Sequence, residues 1–210
     1  SRSSRADAGS KLWSGRVEVY ILLLNQFYPP DPAPTGQVLH DLARALVARG
    51  HEVRVRCSRG AYRGGANYPA AELRDGVAIE RLAGGSPRSR LAGYAAFWLA
   101  SAIRALFSRR PPDLTLALST PPFLGLVGRL RGRAHVHWVM DLYPDALAAH
   151  GLLRKGSLRL RTLERVARRQ FAGAQGVLAL GPFMARRLES YAEGAPLVWV
   201  PLWGKPGMDE

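Results

Sequence analysis

The strongest constraint in this sequence is an alternation of short apolar runs with longer amphipathic stretches, repeated from Val17 almost to the end of the 210 residues. VEVYILLLN is a nearly continuous apolar run, the pattern of a strand buried on both faces. GQVLHDLARALVARG follows, with Val38, Leu42, Ala45 and Leu46 at helical spacing and Gly50 where a C-cap glycine belongs. HEVRVRCS is a second strand, and AELRDGVAIERLA reads as a small hairpin or a bent third strand near Asp75 and Gly76. After a linker over 83–90, Leu91–Phe107 forms an unusually apolar helix. Strands at 113–119, 135–141 and 176–180 then alternate with three helical stretches. These are a short helix in PPFLGLVGRLR with proline in its first turn, an arginine-rich helix over Ser157–Ala172, and one in PFMARRLESYA. LVWVP supplies the last strand. Such alternation predicts an α/β fold with a doubly wound, mostly parallel sheet and helices on both faces.

Between the first strand and the first helix stands FYPPDPAPTGQ, residues Phe27–Gln37, with four prolines and a single glycine. Proline fixes φ and has no N–H to donate, so the segment belongs to neither a sheet nor a helix interior; it is a shaped loop. In an open α/β sheet, ligands bind in the crevice outside the carboxyl ends of the strands, where this loop lies. A stiff connector without a ligand is the alternative. Gly36 sits at a helix N-terminus, which favours an anion such as a diphosphate; Thr35 either joins that contact or caps the helix. The G-x-G-x-x-G fingerprint is absent, which argues against an ordinary NAD enzyme.

A hydrophobic content of 47% suffices for a sizeable core. The single cysteine, Cys57, excludes an intramolecular disulfide and suits a reducing compartment. Residues 1–15 carry charge and serines with no apolar segment behind them, so they read as a disordered tail rather than a secretory signal. The net charge of +14 points to anionic partners or to a coding bias toward arginine. Nucleic acid is disfavoured as a partner because no zinc-ligand set, aromatic ribonucleoprotein motif or basic heptad region is present, although a basic nucleic-acid-binding module remains an alternative. An anionic membrane surface or a phosphate-bearing substrate fits the charge. As a helix, residues 91–107 would be ~25 Å long and interrupted by Arg104, too short and too charged to span a bilayer readily. Interfacial docking would place Tyr94, Phe97, Trp98 and Phe107 in the headgroup boundary, with Arg88, Arg90, Arg109 and Arg110 meeting anionic lipid. A buried crossover helix is the competing reading, and both hold if one stripe packs inward while another faces lipid.

Period-two alternation in 135–141 sets His135, His137, Val139 and Asp141 on one side of the strand. Asp141, at the carboxyl edge, is placed to orient an acceptor hydroxyl or take its proton, or else to form an Asx turn leading into LYPDA. His135 and His137 lack a third ligand at metal-binding spacing, and at least one of them reads as a buried, hydrogen-bonded histidine. His40 faces either the cleft or solvent, and His51 reads as structural. Ser119 and Thr120 offer hydroxyls that bind sugar or cap the following helix.

TGQVLHDLARALVARGHEVRV, NQFYPPDPAPTGQ and DLYPDALAAHGLL together resemble the acceptor-side, N-terminal half of family-4 glycosyltransferases of the GT-B fold, within the subgroup of polysaccharide and O-antigen assembly. The resemblance runs from roughly Val17 onward. It implies a Rossmann-like domain over 16–200, an interdomain linker beginning in 201–210, and a nucleotide-sugar donor held mainly by a second domain, whose Glu-x7-Glu motif is not visible here. It also implies transfer with retention to a lipid-linked or polysaccharide acceptor, no cofactor and no required metal, and residence in the cytoplasm, peripheral on the inner face of the membrane. Thr35, Gly36, Gln37 and His40 would form the loop facing the donor diphosphate and acceptor. Tyr28, Asp31, Ser119, Thr120, Tyr143 and Asp145 would bind the acceptor, and Asp141 would lie at the cleft floor. Many relatives carry a histidine where this chain has Met140, and a serine where it has Gly181, so a histidine-assisted mechanism is not expected. A non-catalytic half that anchors a separate donor-binding subunit to the membrane is the alternative.

Overall fold

The computed structural model describes residues 18–64, 67–84 and 89–203. In chain order the elements are β1 (Tyr20–Leu24), α1 (Pro34–Ala48), β2 (Glu52–Ser58), β3 (Ala71–Arg74), β4 (Val77–Leu82), α2 (Arg90–Leu106), β5 (Leu114–Leu118), α3 (Gly125–Gly128), β6 (Ala134–Val139), α4 (Asp145–Ala149), α5 (Leu158–Phe171), β7 (Gly176–Ala179), α6 (Pro182–Leu188) and β8 (Leu197–Trp199). The expected tail at 1–15, Arg88 and residues 204–210 of the expected linker lie outside the described residues.

One sheet holds the strands in the order β3-β4-β2-β1-β5-β6-β7-β8, with β3 alone antiparallel to its neighbour. The chain therefore winds outward from β1 in one direction and from β5 in the other. The topological switch point falls between these two strands, and the crevice for a ligand opens at their carboxyl ends. This is the α/β, Rossmann-like architecture that the alternation predicts. The bent stretch around Asp75 is a two-residue hairpin: Asp75 and Gly76 have φ of 51° and 76°, the handedness that matches the twist of the flanking strands.

All five residues of β1 are buried, as an apolar run covered on both faces must be. Ile21 and Leu23 pack with Leu39 and Ala43 of α1, and Leu22 and Leu24 with Phe97 of α2, Val127 of α3 and Leu124 just before it. A third cluster joins Val139 and Val177 to Phe171 of α5 and Leu188 of α6. Cys57 is fully buried, and burial pushes its thiol up to about 12, so it behaves as a small core hydrophobe.

Three expectations need correction. Phe97 has no exposed surface; its ring fills the space between α2 and the sheet, so it cannot reach lipid. Pro121 and Pro122 lie in the turns before α3 rather than in its first turn. β6 ends at Val139, which leaves Asp141 in the turn just beyond the strand rather than on it. No helix among the described residues is long and apolar enough to cross a membrane.

Candidate active site

Two loops meet at the switch point. The N–H of Gln26, after β1, donates to the carbonyl of Thr120, after β5, at 2.9 Å. One strand further on, Ser119 Oγ accepts the backbone N–H groups of Met140 and Asp141 at 3.0 and 2.8 Å, which fixes the turn that carries Asp141. Asp141 itself is exposed. It edges a crevice whose walls include Ser119, Phe123, His137, Trp138 and Tyr143.

Two phenols flank the carboxylate. Burial raises the pKa of Tyr143, and the nearby Asp141 and Tyr94 raise it further. Burial likewise raises Tyr94, with Arg90 lowering it and Tyr62 and Asp141 raising it. Both therefore stay protonated near neutrality and offer O–H donors beside Asp141. This arrangement can bind a polyhydroxylated ligand, with a carboxylate accepting a hydroxyl proton and phenols donating to its oxygens.

The proline-rich loop is held from within. Asp31 is 1% exposed; its Oδ1 accepts the N–H of Ala33 at 2.9 Å and its Oδ2 that of Tyr62 at 2.7 Å. Both oxygens are engaged, so Asp31 organises the loop and is not open to an acceptor. Tyr28 is also buried, with its hydroxyl 2.9 Å from His40 Nδ1, while His40 Nε2 lies 3.3 Å from Asp75. A proton on Nε2 satisfies both contacts, with Tyr28 donating to Nδ1 and Nε2–H donating to Asp75. His40 thus joins α1 to the β3–β4 hairpin instead of facing either a ligand or open solvent, and Tyr28 is out of an acceptor's reach. Gln37 Nε2 donates to the carbonyl of Asp31 at 3.0 Å.

Gly36 has a packing reason to be glycine. A Cβ there would stand 3.0 Å from the carbonyl oxygen of Phe27 and 3.1 Å from Tyr28 Cα. Its N–H already donates to Ala33, at 3.0 Å, so the diphosphate contact expected of it has no free donor. Thr35 does not cap the helix, since Ala33 is the N-cap; its Oγ1 accepts from Asn25 Nδ2 at 3.3 Å.

Asp145 is engaged within the fold in the same way. Its carboxylate pairs with Arg187 and accepts the Tyr191 hydroxyl at 2.6 Å, binding α4 to α6. Each of its oxygens thus has a partner within the fold. His135 and His137 stack edge to face, 5.2 Å apart, and burial lowers His137 to about 3, with His135 adding to the effect. His137 is buried and His135 half-buried, both held below the ordinary imidazole range by burial, and no group of three or more metal-ligating residues exists among the described residues.

The sequence alone misses Tyr94 as a neighbour of Asp141, because α2 is far from Asp141 in the chain and reads as an interfacial helix. It also misses Trp203, whose ring lies 5.6 Å from Trp138 and whose Nε1 donates to Asp41 at 3.2 Å, so the end of the described chain folds over the carboxyl edge of the sheet.

Residues 35–203 match the family model of the glycosyl transferase 4-like domain. The chain belongs to that family. Solved structures agree on the fold of this glycosyl transferase 4-like domain. It is similar to sucrose-phosphate synthase from Thermosynechococcus elongatus, with a TM-score of 0.59, 17% identity, and coverage of 86% of this chain and 47% of that one. The catalytic domain of starch synthase IV from Arabidopsis thaliana, bound to ADP and acarbose, gives a TM-score of 0.56 at 11% identity, covering 87% of this chain and 52% of that one. For α,α-trehalose 6-phosphate synthase from Burkholderia multivorans the TM-score is 0.53 at 11% identity, covering 88% and 48%. The chain spans about half the length of these three structures. No curated protein matches it.

Proposed function

We propose that this domain is the acceptor-side half of a glycosyltransferase that moves a sugar, with retention, from a nucleotide-sugar to a lipid-linked or polysaccharide acceptor in cell-surface polysaccharide assembly. The observation that carries this reading is the exposed carboxylate of Asp141, anchored through Ser119 at the carboxyl edge of the sheet and flanked by two protonated phenols. Asp141 would orient the acceptor hydroxyl and take its proton as the new glycosidic bond forms, while Tyr94 and Tyr143 donate to neighbouring oxygens. The donor would be held mainly by a second domain or subunit, in keeping with a chain that spans about half of its structural relatives. No metal is required in this reading.

Peripheral membrane attachment belongs to the same proposal. Leu91, Leu99, Ile103, Leu106 and Phe107 of and beside α2 are exposed, and Arg90, Arg109 and Arg110 stand at its two ends. Phe107, Arg90 and Arg109 would make the contact; Arg110 is paired with Glu52, and Trp98 is half-buried, its indole N–H donating to the carbonyl of Phe123.

The test is transfer of labelled sugar from nucleotide-sugars by the native full-length protein, with Asp141→Asn alongside. Loss of turnover by about 10²-fold or more with donor affinity kept is the expected outcome. Full activity of Asp141→Asn would remove the reading of this residue. Flotation with anionic vesicles that weakens as salt rises tests attachment, and equal behaviour with neutral vesicles would overturn it.

A further inference from the structure

The crevice at Asp141 does not end at Tyr94 and Phe123. Phe123 also lines a second depression, an open groove of about 390 Å³ between α2, the turn after β5 and α5, and Tyr94, which feels the charge of Asp141, lines that groove too. Leu91, Ala95, Trp98, Pro122, Leu126 and Val166 form most of its walls. Its size lies within the roughly 300–1,000 Å³ of small-molecule pockets. The indole N–H of Trp98 is taken by the carbonyl of Phe123 at 3.3 Å, so the walls offer a hydroxylated ligand almost nothing to bond. A soluble glycan would lose its water there without compensation. A hydrocarbon chain would lose none.

The groove also runs into the exposed face of α2. Leu91, Ala95, Leu99, Ile103 and Phe107 follow one another every four residues as an apolar ridge that winds round the helix, with Leu91 and Phe107 each 77% exposed. Arg90 lies at one end of that ridge and Arg109 at the other, beside Arg110, whose guanidinium is paired with Glu52 at 2.6 Å. An apolar stripe with cationic ends complements an amphiphile of opposite design, with an apolar tail and an anionic head.

We propose that the groove holds the hydrocarbon chain of a lipid-linked acceptor, a sugar carried on an alkyl or isoprenoid phosphate, and so directs its sugar hydroxyls toward Asp141. The inference rests on the acceptor-half reading above and narrows its acceptor to the lipid-linked class. Occupancy by a second copy of the chain is the competing outcome.

Calorimetric titration of the chain with dodecyl phosphate below its micellar concentration tests the groove. Saturable binding is expected, weakened at least tenfold by Ala95→Trp, which fills the groove, and by Leu91→Glu, which charges its rim. Both positions are exposed, so folding is not at stake. Inorganic phosphate and a soluble maltooligosaccharide should not compete. Binding that is unchanged in both variants, or matched by inorganic phosphate alone, overturns the proposal. So does a dimer that Ala95→Trp dissolves in a chain that ignores dodecyl phosphate. Nucleotide-sugar binding by the full-length protein, measured separately, tests the glycosyltransferase reading without involving the groove, so either can fail alone.

Discussion

Ser119 holds Asp141 by its backbone rather than by its carboxylate: the hydroxyl oxygen accepts the Asp141 N–H at 2.8 Å and that of Met140 at 3.0 Å. The hydroxyl oxygen is thus the strut beneath the turn that carries the carboxylate. Ser119→Ala leaves two N–H groups without their acceptor and should cost about 1–3 kcal/mol. For a chain of this length that is roughly 2–4 °C in Tm for each kcal/mol. Hydrogen exchange gives the sharper readout. The Met140 and Asp141 amides should exchange at least tenfold faster in the variant, and unchanged protection there would mean that the turn is held by something else.

The Asp145 carboxylate ties α4 to α6 through Arg187 and Tyr191. Asp145→Asn should therefore lower stability, by about 1–2 kcal/mol, and leave acceptor KM in the full-length protein unchanged. A raised KM with unchanged Tm would restore Asp145 to the acceptor site.

Gly36→Ala sets two effects against each other. Alanine is favoured over glycine in a helix by about 1 kcal/mol. The new methyl, however, would press on the carbonyl of Phe27 at 3.0 Å, and that oxygen is pinned by Asn25 Nδ2 at 2.7 Å. The clash is with backbone held at both ends, so net destabilisation is expected in thermal denaturation. A higher Tm would show that the loop yields.

Much of the fold is legible in the sequence because its signals are local. The five-residue core of β1, the hairpin at Asp75 and Gly76, and the glycine that ends α1 each follow from residues next to one another. The position of Asp141 near the carboxyl edge is legible for the same reason, since it rests on strand order and alternation. What escapes is which polar groups are already occupied. Asp31, Tyr28, His40 and Asp145 look like ligand contacts because they are polar residues in or beside loops at the right edge of the sheet. Each is satisfied by a partner that only the folded chain brings near: Tyr62, Asp75 and Arg187 lie 31, 35 and 42 residues from Asp31, His40 and Asp145. Phe97 fails for a related reason. A helix that is apolar on most sides gives little sign of which stripe turns inward, and the sheet takes Phe97 while leaving Leu99 and Ile103 outside.

His137 makes the stability of this domain depend on pH from about 6.5 downward, before the carboxylates begin to titrate. Burial lowers its pKa to about 3, from the usual value near 6.5, with His135 contributing. The unfolded chain takes up a proton on this ring below about pH 6.5 that the folded chain refuses until about pH 3, so the unfolded state binds more protons throughout that window. Stability is fully present above pH 6.5 and should fall by about 1.4 kcal/mol for each unit of acidification below it. His135, also lowered by burial, adds to the slope. Urea denaturation between pH 7 and about 4.5 isolates the histidines, because the carboxylates paired with arginine here, Glu72 and Glu80, are both held below their ordinary range against the pull of burial. His137→Leu should reduce the slope of stability against pH in that window, whatever it does to stability at pH 7. A variant with the wild-type slope would mean that His137 carries its proton in the folded chain, and the cluster with His135 and Phe171 would then have to be open to water.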